Sequence, residues 1–501
     1  MFRKASVVLI AIVLLLTGCS SPSGSHPKEN QLVVGTHTTP DTLDPSRNNA
    51  AAIPYALLYN VYQTLVRVDA EGNLQRLLAS DYQISTDRLT YTFTLRQGAK
   101  FSSGTPVDAK AVEKTMNYIL TDERVNPTRK AEIEALDSVK AISDTQVEFK
   151  LKHPSNSWLY AMAGPVGIIY DPAGLDADNL ATQPAGSGPY VLKEWLVGES
   201  IELAKSPNYW GTDARVESVT FKYFADPNAM NTAMLSGSID VISNVTAPQA
   251  LSQFSDDQQF SVLEGTTNGE IVLGMNQQRE ALKDVRVRQA INYAIDRKGL
   301  MDSVWAGKGL LIGSMVPPTD PWYEDLSNAY PYDPEKAKTL LAEAGYAGGL
   351  TLALRVPTLP YATASGTYIA SQLEQVGIKT TIDQVEFPAR WIDEVMVKSN
   401  YDLTIVSHVE PRDIARFADP NYYWHYDSEE FRQLILKADE ADGDAQITYM
   451  KQAAKLLSDD AAADFLWLLP NLIVTKSEVV GIAANVTGFS FDLTSVAVKD
   501  E

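Results

Sequence analysis

One residue near the start of the chain combines a reactive side chain with a characteristic spacing. Cys19 is the single cysteine of the 501 residues, and it ends the tetrapeptide LTGC at residues 16–19. This tetrapeptide resembles the bacterial lipobox, in which small residues fit the signal peptidase and the cysteine sulfur receives a diacylglycerol. The apolar run before it, residues 5–16, is shorter than the roughly 20 residues of a membrane-spanning helix and is typical of a secretory signal. We therefore expect residues 1–18 to be a lipoprotein signal peptide and Cys19 to carry the lipid.

The segment that follows has the composition of a tether. Residues 20–30 read SSPSGSHPKEN, a polar stretch rich in serine and proline. Such stretches behave as flexible linkers, and we assign residues 19–31 to one. Two acyl chains hold a tethered domain stably at a membrane surface, whereas a single chain does not. We expect an extracytoplasmic protein that is anchored to the bacterial cell membrane by diacylglycerol on Cys19 and has no internal disulfide.

Other chemistry-bearing patterns are scarce. The sequence has no G-x-S-x-G, no H-E-x-x-H and no G-x-x-x-x-G-K-[ST] motif, which mark serine hydrolases, zinc proteases and phosphate-binding loops. No two histidines stand three or four residues apart, as paired zinc ligands on a helix do. The five are dispersed at His26, His37, His153, His408 and His425. We expect no enzyme, no catalytic or metal site, and no cofactor besides the lipid.

The composition describes a large acidic globular protein. A length of 501 residues suggests two to four lobes, and 45% hydrophobic with 21% charged residues suffices for a substantial core. The net charge of −21 disfavours nucleic-acid partners, because those require a basic face that displaces counterions from phosphates.

Strand and helix patterns alternate along the chain. Residues 89–96 and 147–152 alternate apolar and polar side chains, which predicts two half-buried strands. Asp108 is placed to cap a helix, and Asp333 followed by Pro334 is a strong helix start. Residues 465–469 have the composition of a fully buried strand. Helices followed by strands, as at 334–356 and 369–382, predict an α/β protein with at least two lobes.

Several segments in one order resemble the family-5 extracellular solute-binding proteins, the peptide- and nickel-binding group of ABC importers. The resemblance covers roughly residues 32–490. Its segments are TLDP (42–45), NVYQTLVRVD (60–69), LAS (78–80), YTFTLRQGAKFSSG (91–104), GSGPYVLKEW (186–195), SPNYW (206–210), SGSIDV (236–241), DVRVRQAINYAIDRK (284–298) and YDPEKAKTLLAEAGY (332–346).

This resemblance implies a two-lobed periplasmic-binding-protein-like fold with an extra subdomain on the first lobe. Ligand would lie in the cleft between lobes, and the chain would cross between them near residues 265–271 and 472–478. The expected partners are a small peptide or peptide-like ligand and the permease and ATPase subunits of an importer, with no nucleic acid and a monomeric state. The implied boundaries are 32–45 and 187–268 for the core of lobe I, 46–186 for the extra subdomain, 269–474 for lobe II and 475–501 for a return into lobe I.

The resemblance also places the ligand anchor. In the family an aromatic and an acidic residue shortly precede an Asp-Pro pair; here the stretch from Ser407 to Asp419-Pro420 is longer and has no tryptophan. A peptide amino terminus needs a carboxylate, and Glu410 and Asp413 are the candidates. The alternative is that they are loop acids paired with Arg412 or Arg416.

Aromatic residues cluster near this segment in the sequence. They suit a ligand cleft, because they give a large contact area at low entropic cost, but ordinary packing would also explain them. They are Trp391, Tyr422, Tyr423 and Trp424. We count them with His408 and Arg412 as ligand-binding candidates, whereas Arg286 and Arg288 are expected on the polar side of their helix.

The ligand class stays open at this point. A glycoside or a nickel chelate, the latter held through His408 and Arg412, is an alternative to a peptide on the same scaffold. A further alternative is an envelope lipoprotein that has lost transport, for which the long 407–419 segment is the best support.

Overall fold

The computed structural model describes residues 30–499. The expected signal peptide, the lipidation site at Cys19 and nearly all of the tether therefore lie outside the described residues. The first strand begins at Gln31, at the expected end of the tether. No helix in the described part of the chain is long and apolar enough to cross a membrane.

Strands and helices occur throughout the described chain. The strands are β1 Gln31–Thr36, β2 Val66–Val68, β3 Leu74–Arg76, β4 Ala79–Ile84, β5 Thr90–Leu95, β6 Leu136–Ala141, β7 Gln146–Leu151, β8 Tyr190–Leu196, β9 Ser200–Lys205, β10 Ser218–Tyr223, β11 Val241–Ile242, β12 Phe260–Gly265, β13 Glu270–Met275, β14 Leu350–Pro357, β15 Ile378–Val385, β16 Leu403–His408, β17 Ala463–Leu468, β18 Asn471–Lys476, β19 Val479–Val480 and β20 Ala497–Val498. The α-helices are α1 Ala52–Leu57, α2 Ala109–Thr121, α3 Pro127–Glu132, α4 Asn156–Ala161, α5 Pro172–Ala177, α6 Pro227–Leu235, α7 Glu280–Lys283, α8 Val285–Ala294, α9 Arg297–Trp305, α10 Pro334–Glu343, α11 Pro360–Gln375, α12 Ala389–Trp391, α13 Glu429–Glu440 and α14 Gly443–Asp459. The 3-10 helices are Pro165–Gly167, Pro248–Phe254 and Asp413–Ala418, and Ile392–Val397 is a π-helix.

The first lobe is built on a seven-stranded mixed sheet. Its order is β12-β18-β11-β1-β10-β9-β8, in which β1 pairs in parallel with β10 and β11. A separate four-stranded antiparallel sheet, β4-β5-β7-β6, lies within residues 79–151. The expected alternation is confirmed there, since every second residue of β5 is buried. Trp158 packs against the buried rings of this sheet.

The second lobe is built on a five-stranded sheet of order β15-β14-β16-β13-β17. β14 runs parallel to both neighbours, whereas β13 is antiparallel to β16 and β17. β13 and β17 are buried at every position, so both faces of each strand are covered; each is apolar except for one buried acid, Glu270 in β13 and Asp464 in β17. The predicted start of α10 is confirmed: the Asp333 carboxylate accepts a hydrogen bond of 2.9 Å from the Lys336 N–H. Caps of this kind stabilise by about 1 kcal/mol.

Two short segments connect the two large sheets. Residues 266–269 join β12 to β13, inside the range expected from the sequence, and residues 469–470 join β17 to β18. The second crossing comes earlier than the expected 472–478. Pro470 has no N–H to give to a ladder and separates the two strands. Residues 471–474, assigned from the sequence to lobe II, pair instead with β12 in the first sheet.

One expectation about α8 is wrong. Arg286 is exposed as expected, but Arg288 is only 6% exposed. Its guanidinium donates hydrogen bonds to the carbonyl oxygens of Leu282 at 2.9 Å and Asp460 at 2.8 Å. The helical spacing predicts Arg288 on the polar side of α8. That side packs against the segment that precedes β17, and the backbone carbonyl groups of this segment need hydrogen-bond donors.

Candidate functional site

The end of β16 positions the predicted anchor. β13 and β16 are antiparallel neighbours, and Glu270 lies directly opposite His408 in their register. After His408 the chain turns through Arg412, whose φ of 61° is in the left-handed region, and enters the 3-10 helix at Asp413. This turn brings the carboxylate of Asp413 back over the end of its own strand.

His408 and Asp413 are buried and hydrogen-bonded to each other. The Nδ1 of His408 lies 3.1 Å from Oδ2 of Asp413, and its Nε2 lies 2.8 Å from the Tyr423 hydroxyl. Arg416 Nε lies 3.3 Å from the other carboxylate oxygen. Burial by itself raises the pKa of Asp413, but the His408 hydrogen bond and the nearby positive charges outweigh it and hold the pKa below its ordinary value. Asp413 is therefore a fixed negative charge.

Glu410 lies beside this pair and is exposed. One ligand atom from each of His408, Glu410 and Asp413 falls within 4.8 Å of the others. Although the residue as a whole is exposed, the protein atoms packed around its carboxylate, and then repulsion by Asp413, raise the pKa of Glu410. Two carboxylates this close, one of them accessible, form a site that attracts a cation or a proton.

The three members of this cluster could also hold a metal ion. Against that use, both ring nitrogens of His408 are already engaged, one by Asp413 and one by Tyr423. A metal would have to displace one of these partners.

Arg412 connects the second lobe to the extra subdomain. Its guanidinium carbon lies 3.6 Å from the ring centre of Tyr160 in α4 and 4.8 Å from that of Trp322. Its Nε lies 3.9 Å from Asp320 and has no hydrogen-bond partner among the described residues. The Asn156 amide extends this contact by donating to the carbonyl oxygen of Ala438 in α13 at 2.9 Å. The candidate site therefore lies where the two lobes meet.

The predicted aromatic residues mostly support the site from within. Trp391, Tyr423 and Trp424 are 4%, 1% and 1% exposed and belong to the core of the second lobe. The Trp391 indole N–H donates to the Thr404 hydroxyl at 3.1 Å. Tyr422 is half-buried, and the Arg416 guanidinium carbon lies 6.0 Å from its ring centre. Of the four, only Tyr422 offers a partly open surface.

The sequence did not identify two acidic residues near the cluster, Glu270 and Asp320, as candidate site residues. Glu270 is 2% exposed, and burial followed by the charges of Asp413, Asp320 and Glu410 raises its pKa well above the ordinary value. Burial raises the pKa of Asp320 to about 6, and the positive charge of Arg412 makes this rise smaller than it would otherwise be. An acid at the head of the apolar run IVLGM is a sequence signal for Glu270, whereas Asp320 stands in a loop without one.

A separate cavity of about 230 Å³ lies in the first lobe, between residues 67–70 and 481–495. Its polar groups are already paired: Arg67 with Asp492, and the Thr487 hydroxyl with the carbonyl oxygen of Asp69 at 2.6 Å. It is a weaker candidate for a ligand site than the cluster around Asp413, because Arg67 and Asp492, which face each other across it, already pair with each other.

Comparison with known proteins gives one family. A family model described as bacterial extracellular solute-binding proteins, family 5 Middle, matches residues 73–432. The glutathione-binding protein GsiB of Escherichia coli O1:K1 is 29% identical over 389 residues, which are 77% of this chain and 74% of the relative.

Solved structures show the same architecture. The dipeptide binding protein of Pseudoalteromonas sp. SM9913, in complex with Met-Leu, has a TM-score of 0.79 at 23% identity and covers 94% of this chain and 100% of its own. NikA from Brucella suis, in complex with Fe(III)-EDTA, has a TM-score of 0.83 at 22% identity with the same coverage of both chains. The predicted two-lobed α/β fold is thereby confirmed.

Proposed function

Because the chain belongs to the family 5 extracellular solute-binding proteins, we propose that it captures a peptide-like ligand between its lobes and delivers it to the permease of an ABC importer. The resemblance inferred from the sequence is confirmed, and the family consists of binding proteins rather than enzymes. The observation that carries the ligand proposal is the pair of carboxylates at Glu410 and Asp413. Glu410 is accessible and, among residues 30–499, has no cation within ion-pair distance, although the charges of His408 and Arg416 act on it from farther away.

An ammonium group is the ligand chemistry that this pair fits best. An amino terminus placed between the two carboxylates would remove their mutual repulsion and donate charge-assisted hydrogen bonds to both. The hydrogen bonds of Asp413 to His408 and Arg416 hold one carboxylate in place before ligand arrives. Such preorganisation lowers the entropic cost of binding.

Closure would follow from shared contacts. Arg412, in the segment proposed to hold the ligand, stacks on Tyr160 of the other lobe, so a ligand bound at residues 410–413 would lie beside the surface on which the lobes close. Only contacts that differ between the open and closed states shift that equilibrium. A permease could then distinguish the loaded protein by the arrangement of its lobes.

Calorimetric titration with short peptides tests this function. We expect binding of peptides of two to six residues, and loss of binding when the amino terminus is acetylated. Glu410→Gln and Asp413→Asn should each weaken binding by about tenfold or more, as removal of a charge-assisted hydrogen bond does. Glu374→Gln, which removes an exposed carboxylate in α11, is the matched control. Binding that is indifferent to acetylation would contradict the anchor.

A nickel chelate is the second candidate. The grouping of His408, Glu410 and Asp413 within 4.8 Å favours it, as does the fold shared with NikA. Binding of nickel with free histidine, without binding of any peptide, would decide for the chelate and leave the importer role in place.

We also propose that the chain is exported and lipidated at Cys19. The support is the LTGC tetrapeptide after an apolar run. In cells, the wild type should fractionate with membranes and carry the mass of a diacylglycerol. Cys19→Ala should lose both properties, and retention of the lipid mass would refute the assignment.

A further inference from the structure

Glu270 is a buried carboxylate that the proposed anchor does not use. It is the first residue of β13 after the crossing segment, and the register sets it directly opposite His408. Directly opposed residues of antiparallel strands project to the same face, so Glu270 points to the face on which His408 meets Asp413. It is 2% exposed, and its Oε2 has no hydrogen-bond partner among the described residues.

The charges around this face do not balance. Four carboxylates gather there, from Glu270, Asp320, Glu410 and Asp413. Arg416 pairs with Asp413 at 3.3 Å, and Arg412 lies 3.9 Å from Asp320. Within residues 30–499, no cation lies within ion-pair distance of either glutamate. The ionised form of a buried carboxyl group is costly without a partner, so a ligand that brings positive charge would favour ionisation here.

We propose that Glu270 receives a second cationic group of the ligand, so that the solute is a peptide-like molecule with two positive charges. Its amino terminus binds at Glu410 and Asp413, and an ammonium or guanidinium on a side chain reaches Glu270. This inference rests on the proposed function and specifies the class of solute. Asp320, whose Oδ2 is also buried and without a hydrogen-bond partner, adds negative charge to the same subsite.

Binding of the second cation should release a proton. Burial, followed by the charges of Asp413, Asp320 and Glu410, raises the pKa of Glu270 well above its ordinary value, which favours the protonated carboxyl in the free protein. The groups that face it are His408 across the strand pair and the carboxylates of Asp320, Glu410 and Asp413. An arriving cation favours the ionised carboxylate, and the proton passes to the buffer.

The test compares lysine with norleucine, which has the same chain without the ammonium. The full-length protein is titrated with di- to tetrapeptides that carry lysine at each position in turn, each beside its norleucine analogue. At least one lysine peptide should bind about 10- to 100-fold more tightly than its analogue, the range expected for a charge-assisted hydrogen bond. Glu270→Gln should remove this preference, so that each lysine peptide and its norleucine analogue bind with similar affinity. Glu374→Gln should keep it.

The outcomes separate this inference from the proposed function. Equal binding of lysine and norleucine peptides would overturn the second cation site and leave peptide capture intact. A lysine preference that survives Glu270→Gln would place the second charge elsewhere and also overturn it. Failure of every peptide to bind would remove the proposed function and this inference with it.

A second measurement needs no variant. Titration of the wild type at pH 7 in buffers of different ionisation enthalpy reports proton release directly. Release with the lysine peptide and not with its analogue is expected. No difference between the two peptides would contradict the role of Glu270 even if the substituted protein did not fold.

Discussion

The buried carboxyl group of Asp464 should make the stability of the second lobe fall as the pH rises. Asp464 lies in β17 with no exposed surface, and neither of its oxygens has a hydrogen-bond partner among the described residues. Its nearest cation is Arg297, at 3.9 Å. That guanidinium is already held by the carbonyl oxygens of Ile312 at 2.8 Å and Phe465 at 2.9 Å. Burial raises the pKa of Asp464 from 3.8 to about 7, which Arg297 opposes.

The sign and size of the effect follow from this pKa. Between pH 4 and pH 7 the folded state keeps the proton while the unfolded chain loses it. The folded state then binds more protons, so stability falls as pH rises, by about 1.4 kcal/mol per pH unit. Asp464→Asn replaces the protonated carboxyl with a neutral group of similar shape and removes this dependence. Relative to the wild type, the variant should gain about 2.5 kcal/mol between pH 5 and pH 8.

Scanning calorimetry is the suitable assay, because the two lobes need not unfold together. For a unit of the size of the second lobe, the predicted gain means that the melting midpoint of Asp464→Asn rises relative to that of the wild type by about 5 to 10 °C between pH 5 and pH 8. Asp444→Asn, which removes an exposed carboxylate from the same lobe, is the control and should leave the pH dependence unchanged. A difference between Asp464→Asn and wild type that stays constant from pH 5 to pH 8 would refute the reasoning.

Two further substitutions test packing. Gly313→Ala should destabilise the folded protein by about 2 kcal/mol or more, because a Cβ there would lie 1.9 Å from the carbonyl oxygen of Leu326. Gly348→Ala is the control, since a Cβ at that position would have nothing within 4 Å. Equal melting midpoints for the two variants would contradict the close approach at Gly313. Trp391→Phe should lower the melting midpoint, because the buried Thr404 hydroxyl loses its donor at a cost of about 1–3 kcal/mol. Peptide affinity should change less than twofold, and a larger loss would show that the indole contacts ligand.

Local patterns made much of the fold predictable. The alternation in β5 and the cap at Asp333 each depend on a few neighbouring residues, and the structure has both where they were expected. The second crossing was misplaced, because only Leu469 and Pro470 separate β17 from β18, and most residues on both sides of them are apolar. An apolar run shows burial but not which sheet accepts the strand.

The site was predictable only along one segment. Glu410 and Asp413 were predicted because the family resemblance places an acidic ligand anchor shortly before the Asp419-Pro420 pair. Glu270 joins them through the register of β13 with β16, and Asp320 through the position of Arg412. Neither relation has a local signature, since each depends on residues about 90 or more positions apart. The burial that sets their pKa values is likewise a property of the assembled lobes.

The two crossings form one mechanical unit. β12 pairs with β18 on one side of them and β13 with β17 on the other, so a two-stranded ribbon runs through both lobes. Two hydrogen bonds join the crossings to each other. The Thr267 hydroxyl donates to the carbonyl oxygen of Leu469 at 2.6 Å, and the Leu469 N–H donates to the carbonyl oxygen of Gly269 at 2.9 Å. Bending the ribbon out of its plane preserves these bonds, whereas sliding one strand along the other breaks them. Sliding of one lobe along the other is thereby opposed, whereas bending and twisting of the ribbon remain open to the lobes.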